Sequence, residues 1–309
     1  MKRFVINVLL FFMAAFVLPA ILAFSIPSNP DGFYKVYLLK EKRADTISSP
    51  KILVCGGSDI LHAIDTKLIQ DSLHRNVVNM GLTAELGYDV VVNDALKYSK
   101  KGDIVLLSMG AFANSVAWGG VDEIPVLVDY NHKKLFELRW ENIKQLGRGV
   151  YCLLKMKTKY TWLKVRGMNL SQTYSLSEFD ENGDYKKTYQ TDYKRQPVNR
   201  SVLITPEQHS FIESVCKRIR MMEEKGCWVF IIPETIEKET YQVLAPRISA
   251  IHSVYVRNGI NYLFPPDEPV VPDSMIFNSQ YHVNYRGTAF YSNLIVTSLK
   301  KHLTKNKDY

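Results

Sequence analysis

A serine and a histidine from opposite ends of the chain carry the chemistry that this sequence offers. Ser58 lies in the run Lys51-Ile52-Leu53-Val54-Cys55-Gly56-Gly57-Ser58-Asp59, and His282 sits within Tyr281-His282-Val283-Asn284-Tyr285-Arg286-Gly287. The first run reads as a buried strand that enters a glycine pair and turns into a helix. Glycines at such a corner allow a sharp turn and bring backbone N–H groups close to a bound molecule. A serine there meets orphan N–H donors and the positive end of the helix dipole, a setting that favours an oxyanion. Histidine is the side chain best matched to take a serine's proton near neutral pH. The pair suggests acyl transfer.

The elements that must position these residues alternate along the chain. Lys51 to Cys55 reads as a strand, and Ile60, Ile64, Leu68 and Ile69 place apolar residues on one helical face up to about Leu73. Asn76 to Met80 is a second strand ending at Gly81, Leu86 to Leu96 a second helix, and Asp103 to Ser108 a third strand. This alternation implies right-handed crossovers and a parallel sheet covered on both faces. The stretch from about Ala113 to Arg200 is irregular apart from a helix from Trp140 to about Met156. It reads as an insertion over the active face, where α/β folds keep their variable loops. Thr205-Pro206-Glu207-Gln208 then resembles a capping box with proline at the first helical position. A strand at Trp228 to Ile232, a helix from Glu237 to Arg257 holding Pro246, a short strand at Asn261 to Phe264 and a final helix from Tyr285 complete the series.

Before this domain, Phe4 to Phe24 is an apolar run broken only by Asn7, about the ~20 residues that a bilayer span needs. It exceeds the ~7–15 residues of a signal-peptide core and lacks a small-x-small cleavage site, so a retained anchor is expected over a cleaved signal. Lys2 and Arg3 precede the run and no basic residue follows until Lys35, which puts the N-terminus in the cytoplasm and the domain outside it. The expected organisation is a tip at 1–3, a transmembrane helix at 4–24, a linker at 25–48 and one α/β domain at 49–309 with its insertion at about 113–200.

Composition narrows the class further. The formal net charge is +8, which suits anionic surfaces, but no helix-turn-helix, zinc-finger or RRM context surrounds the basic residues, so no nucleic-acid partner is expected. The four cysteines show no metal spacing, and Cys216 and Cys227 leave a bridge open without demanding one. His62, His74, His132, His209, His252 and His302 lack partners at metal spacing and read as surface or packing residues. No metal or organic cofactor is implied.

Strand-Gly-Gly-Ser-Asp, then Val78-Asn79-Met80-Gly81, then Tyr281-His282-Val283-Asn284 with Gly287, in that order, resembles the SGNH (GDSL-type) hydrolase superfamily. More narrowly, the chain is similar to the membrane-anchored, DltD-like members associated with cell-envelope and exported polysaccharide. The resemblance covers most of residues 49–302, with the middle matched loosely through Phe179-Asp180-Glu181-Asn182-Gly183-Asp184. It implies a flavodoxin-like three-layer α/β/α domain, with Ser58 as nucleophile, His282 as base and Gly57 in the turn. The N–H groups of Ser58 and Gly81 would face the oxyanion and Asn79 would help hold the Gly81 loop. An asparagine after the third strand often joins them; Asn114 is the candidate here, at a departing spacing. Where the family commonly has an aspartate shortly before the histidine, this chain has Asn278. An amide can orient the imidazole without contributing a full negative charge, and Asp273 could substitute if its loop folds back.

The expected activity is that of a serine esterase or O-acyltransferase working through an acyl-serine on an acylated cell-envelope glycan or exported polysaccharide. The resemblance also implies a bacterial cytoplasmic membrane location, with a membrane-bound acyltransferase or export protein as a possible partner. Asn278 keeps a second expectation open: a catalytically weak or inactive domain of this shape that binds glycan or an assembly protein.

Overall fold

The structure is a computed structural model that describes residues 1–26, 28–29, 31–113, 129–137, 140–168, 174–186, 193–194 and 204–305. Its centre is a sheet of β1 (Lys51–Cys55), β2 (Asn76–Asn79), β3 (Ile104–Ser108) and β4 (Trp228–Ile232). All neighbours pair in parallel, in the order β2-β1-β3-β4. Every residue of β1 and β3 is buried, as expected of strands covered on both faces.

The period-2 alternation of these strands sorts their side chains into two cores. Leu53, Leu107, Val229 and Ile231 pack with α5 (Tyr88–Tyr98), α7 (Pro206–Glu224) and α8 (Lys238–Arg257). Ile52, Val54, Leu106 and Ile232 face α4 (Thr66–Leu73) and α9 (Tyr285–Lys305). The sheet thus lies between helical layers. The chain leaves β1 toward one edge for β2 and returns to the other side for β3 and β4. The crevice at the carboxyl ends of β1 and β3 is therefore the topological switch point, where open α/β sheets place their ligands.

Several expectations shift in detail. The helix expected over Ile60 to Leu73 is two, α3 (Ser58–Ala63) and α4, because Asp65 turns the chain and accepts a 2.9 Å hydrogen bond from Leu68 N–H as the cap of α4. The strand expected at Asn261 to Phe264 is a single bridge at Tyr262, flanked by backbone hydrogen bonds of 2.9 Å between Ile231 and both Asn261 and Leu263. The helix expected from Trp140 to about Met156 runs on to Val165 (α6). Cys55, Cys152, Cys216 and Cys227 are all free thiols.

The expected linker is the largest correction. Phe33–Thr46 forms α2, and Tyr34, Val36, Tyr37, Lys40, Glu41 and Ala44 are buried against the domain. Lys40 is completely enclosed, and its ammonium donates 2.9 Å to the backbone oxygen of Asn79 at the end of β2. Burial brings its pKa down to about 8, and the carboxylates of Asp184 and Asp180 limit the fall. Asp184 in turn accepts from Thr66 N–H at 2.7 Å and from Asn79 Nδ2 at 3.0 Å, joining the described part of the insertion to β2 and α4. Ahead of α2, α1 (Lys2–Ser25) is long and apolar enough to cross a membrane. Its 24 residues would extend about 36 Å, against a hydrocarbon core of about 30 Å.

Lys40→Met keeps the length of the side chain but removes its charge and its donors. It leaves Asn79 O unpaired and Asp184 without its nearby cation. Urea unfolding of the full chain in detergent micelles should show a stability lower by about 3 kcal/mol; an unchanged midpoint would mean that α2 docks without this network.

Candidate active site

The serine side of the site is built from the corner after β1. Gly56 must be glycine, because a Cβ there would come within 2.3 Å of Ile60 Cγ1 and 3.0 Å of Ser108 Cβ. Gly57 is the N-cap of α3 and Ser58 its first residue, so the Ser58 N–H is one of the donors that a helix start leaves over. The neighbouring Asp59 points inward rather than into the site. Its buried carboxylate accepts from Ser108 Oγ at 2.5 Å, fixing the corner to the end of β3. Burial raises the Asp59 pKa, and the Ser108 and backbone hydrogen bonds oppose that rise.

The histidine side is a short antiparallel pair, β5 (Ile276–Ser279) and β6 (His282–Val283), leading directly into α9. Asn284 explains much of the surrounding motif. Its Nδ2 donates to Ser274 O at 2.9 Å, while its Oδ1 accepts from Arg286 N–H at 3.0 Å at the start of α9. Gly287 lets the pair lie flat on the helix, since a Cβ would meet Val283 Cβ at 2.5 Å. Thr288 Oγ1 then donates to His62 O at 2.7 Å, tying α9 to the helix that begins with Ser58.

These two constructions meet. His282 Nε2 lies 2.8 Å from Ser58 Oγ, and Nδ1 lies 2.7 Å from Asn278 Oδ1. Asn278 Oδ1 can only accept, so Nδ1 carries the ring proton and Nε2 is left to accept from the serine hydroxyl. The Tyr174 hydroxyl stands beside this pair, 3.2 Å from His62 Nε2. His62 lies against the His282 ring at a centroid distance of 4.4 Å and a tilt of 31°. Tyr174 holds a φ of +67°, an uncommon conformation for a bulky residue, and its N–H donates 2.8 Å to the Glu178 carboxylate.

No charge sits on this pair of rings. Burial lowers the His282 pKa to about 4. Burial, and then the neighbouring His282, hold His62 well below the usual histidine value. Near neutral pH both are neutral, and Nε2 is an available base.

The remaining candidates divide. Asn79 does hold the Gly81 loop, but by accepting the Gly81 N–H on Oδ1 at 2.8 Å. That N–H is therefore committed, and the expected role of Gly81 as an oxyanion donor is not met in this geometry. Asp273 lies beside Glu237 at the start of α8, and Asn278 holds His282 Nδ1, so Asp273 does not take that place. Asn114 lies outside the described residues. The loop leading toward it is held by the Gln208 amide, which donates to Ala111 O at 3.1 Å and Ala113 O at 3.0 Å. Glu234 accepts from Ala111 N–H at 2.8 Å, and burial and then Asp59 push its carboxyl up to about 8.

Sequence reading missed His62 and Tyr174. His62 stands four residues after Ser58, the spacing that brings side chains together on a helix. Tyr174 lies in the irregular middle and carries no local signal. Comparison with protein-family models, curated proteins and solved structures finds no match to this chain.

The neutral rings have a consequence for acid stability. An unfolded chain takes up a proton at His282 near pH 6.5, whereas the folded chain does so only near 4. Between those values the unfolded state binds more protons, so stability falls as the pH falls. Denaturant unfolding at pH 5 should show up to about 2 kcal/mol less stability from His282 than at pH 7.5, and His282→Gln should remove much of that difference. Equal losses in both proteins would contradict the half-buried, neutral ring.

Proposed function

We propose that this domain is an SGNH-type serine esterase or O-acyltransferase of the membrane-anchored, DltD-like kind. The observation that carries the reading is the linear arrangement of Ser58 Oγ, His282 Nε2 and Nδ1, and Asn278 Oδ1, at 2.8 and 2.7 Å. The β2-β1-β3-β4 order supports a flavodoxin-like ancestry for the sheet, and the placement of Ser58 after β1 fits the family's nucleophile position. Acyl esters of a bacterial cell-envelope or exported polysaccharide are the substrate class that the family resemblance favours. Lys2 and Arg3 at the start of α1, ahead of its apolar run, favour an extracytoplasmic site. A membrane-bound acyltransferase or export protein is the partner that such a location suits.

The chemistry follows from the geometry. Ser58 Oγ attacks the ester carbonyl carbon while its proton passes to His282 Nε2. The Ser58 N–H is placed to stabilise the oxyanion, and the Gly81 N–H joins it only if Asn79 lets go. Collapse breaks the ester C–O bond, the leaving oxygen takes the proton from Nε2, and the acyl group stays on Ser58. Water or a sugar hydroxyl then repeats the steps in reverse. During each attack Asn278 accepts a hydrogen bond from the imidazolium but offers no charge to balance it, so turnover is slow.

A second reading rests on the same feature. An amide in place of the carboxylate, together with the occupied Gly81 N–H, favours a glycan- or protein-binding domain that has lost turnover.

Hydrolysis of a small acetyl ester separates the two. Ser58→Ala should abolish the activity. Asn278→Asp should raise kcat by about tenfold or more, because a carboxylate stabilises the imidazolium. The same change should move the acid limb of the kcat/KM profile upward from about pH 4, where the wild-type ring titrates. Absence of Ser58-dependent turnover in both backgrounds would favour the binding reading.

A further inference from the structure

The long helix α6 presents a face that the site does not use. Its inner side is anchored: Leu153 is buried, and Lys157 donates 2.7 Å to the Ala23 carbonyl and pairs with Asp129. These contacts hold α6 alongside Leu18–Ser25, the last part of α1. The opposite side carries Tyr151, Lys155, Lys159, Trp162 and Val165, with Arg166 in the turn directly after it. At 100° per residue those on the helix share an arc of about 120°. Tyr151, Trp162 and Val165 are 65%, 51% and 82% exposed, and the three basic residues are exposed as well. Arg166 covers one face of the Trp162 ring at 4.0 Å.

We propose that this face of α6 lies on the bilayer surface and seats the domain against anionic lipid headgroups. The inference rests on the reading that α1 spans the membrane. If it does, the level of the surface is set by α1 itself. Ile21, Leu22 and Phe24 remain exposed beside α6, so apolar surface that only lipid would cover reaches the height at which α6 packs. Tyrosine and tryptophan favour the headgroup region, where an apolar ring and a polar tip are both accommodated. Lysine and arginine between them add about 1 kcal/mol each near an anionic surface. A water-facing helix would gain nothing from exposing Tyr151, Trp162 and Val165 along one stripe. The seated domain could not swing freely on α1, and its site would be held at a fixed height above the lipid.

The test uses the full chain in phosphatidylcholine–phosphatidylglycerol vesicles doped with lipid carrying a nitroxide at carbon 5 of one acyl chain. A fluorophore is attached, in a Cys152→Ser background, at Val165→Cys, at Glu224→Cys on the distant end of α7, or at Ala14→Cys within α1. Quenching at 165 should exceed that at 224 by about threefold or more, and K155E/K159E should reduce the excess in anionic vesicles. Strong quenching at 14 with equal, weak quenching at 165 and 224 would overturn the proposal and leave the anchor intact. Weak quenching at 14 as well would remove the anchor reading, and the proposal with it. A label at 165 that escapes lipid but cross-links to a second copy would assign the face to self-association instead.

Discussion

The 2.8 Å contact between Ser58 and His282 joins residues 224 positions apart, and the surrounding order constrains both ends of it. On one side Asp59 is fixed to Ser108, so the corner after β1 cannot move independently of β3. On the other, Asn284 caps α9 and Gly287 admits β6 onto that helix, which leaves the His282 backbone little freedom. The Thr288 to His62 hydrogen bond then locks α9 to α3 directly. A serine–histidine pair needs this rigidity, because displacements of about 1 Å from a productive geometry can cost about a hundredfold in rate.

Charge is arranged differently from a site built around a carboxylate. Stacking His62 on His282 in enclosed surroundings keeps the base neutral well below the usual histidine range. The same surroundings disfavour the imidazolium that catalysis must form, and Asn278 can orient the ring without offsetting that charge. The Tyr174 hydroxyl, 3.2 Å from His62 Nε2, holds the second ring in place. The Phe33 ring, at the start of α2, lies 5.5 Å from that of Tyr174. The element that follows the apolar N-terminal helix therefore packs on the residue that holds His62 beside the base.

Ser58, His282 and Asn278 were legible because each lies in a short segment whose neighbours also have local jobs: glycine for a tight corner, asparagine for a helix cap, glycine for a close approach. The parallel sheet was legible from its buried strands. The helix α2 was not, although Tyr34, Tyr37, Glu41 and Ala44 follow helical spacing. Lysine and glutamate at its inner positions imitate a solvated segment, and the partners that make a buried Lys40 tolerable, Asn79 O and Asp184, are distant in sequence. The Gly81 N–H illustrates the same limit. Its motif identifies the loop, but only the fold reveals that Asn79 has taken the donor. His62 becomes visible once α3 is known to be a helix, because it then stands one turn beyond Ser58.

The most direct test of the paired site is covalent trapping. The full chain in detergent is treated with a fluorophosphonate, digested, and mapped by tandem mass spectrometry. A nucleophile activated by His282 gives one dominant adduct, on Ser58, that disappears in His282→Ala while Ser108 and Ser279 remain unmodified. No adduct at Ser58, or labelling that is unchanged by loss of His282, would contradict the account.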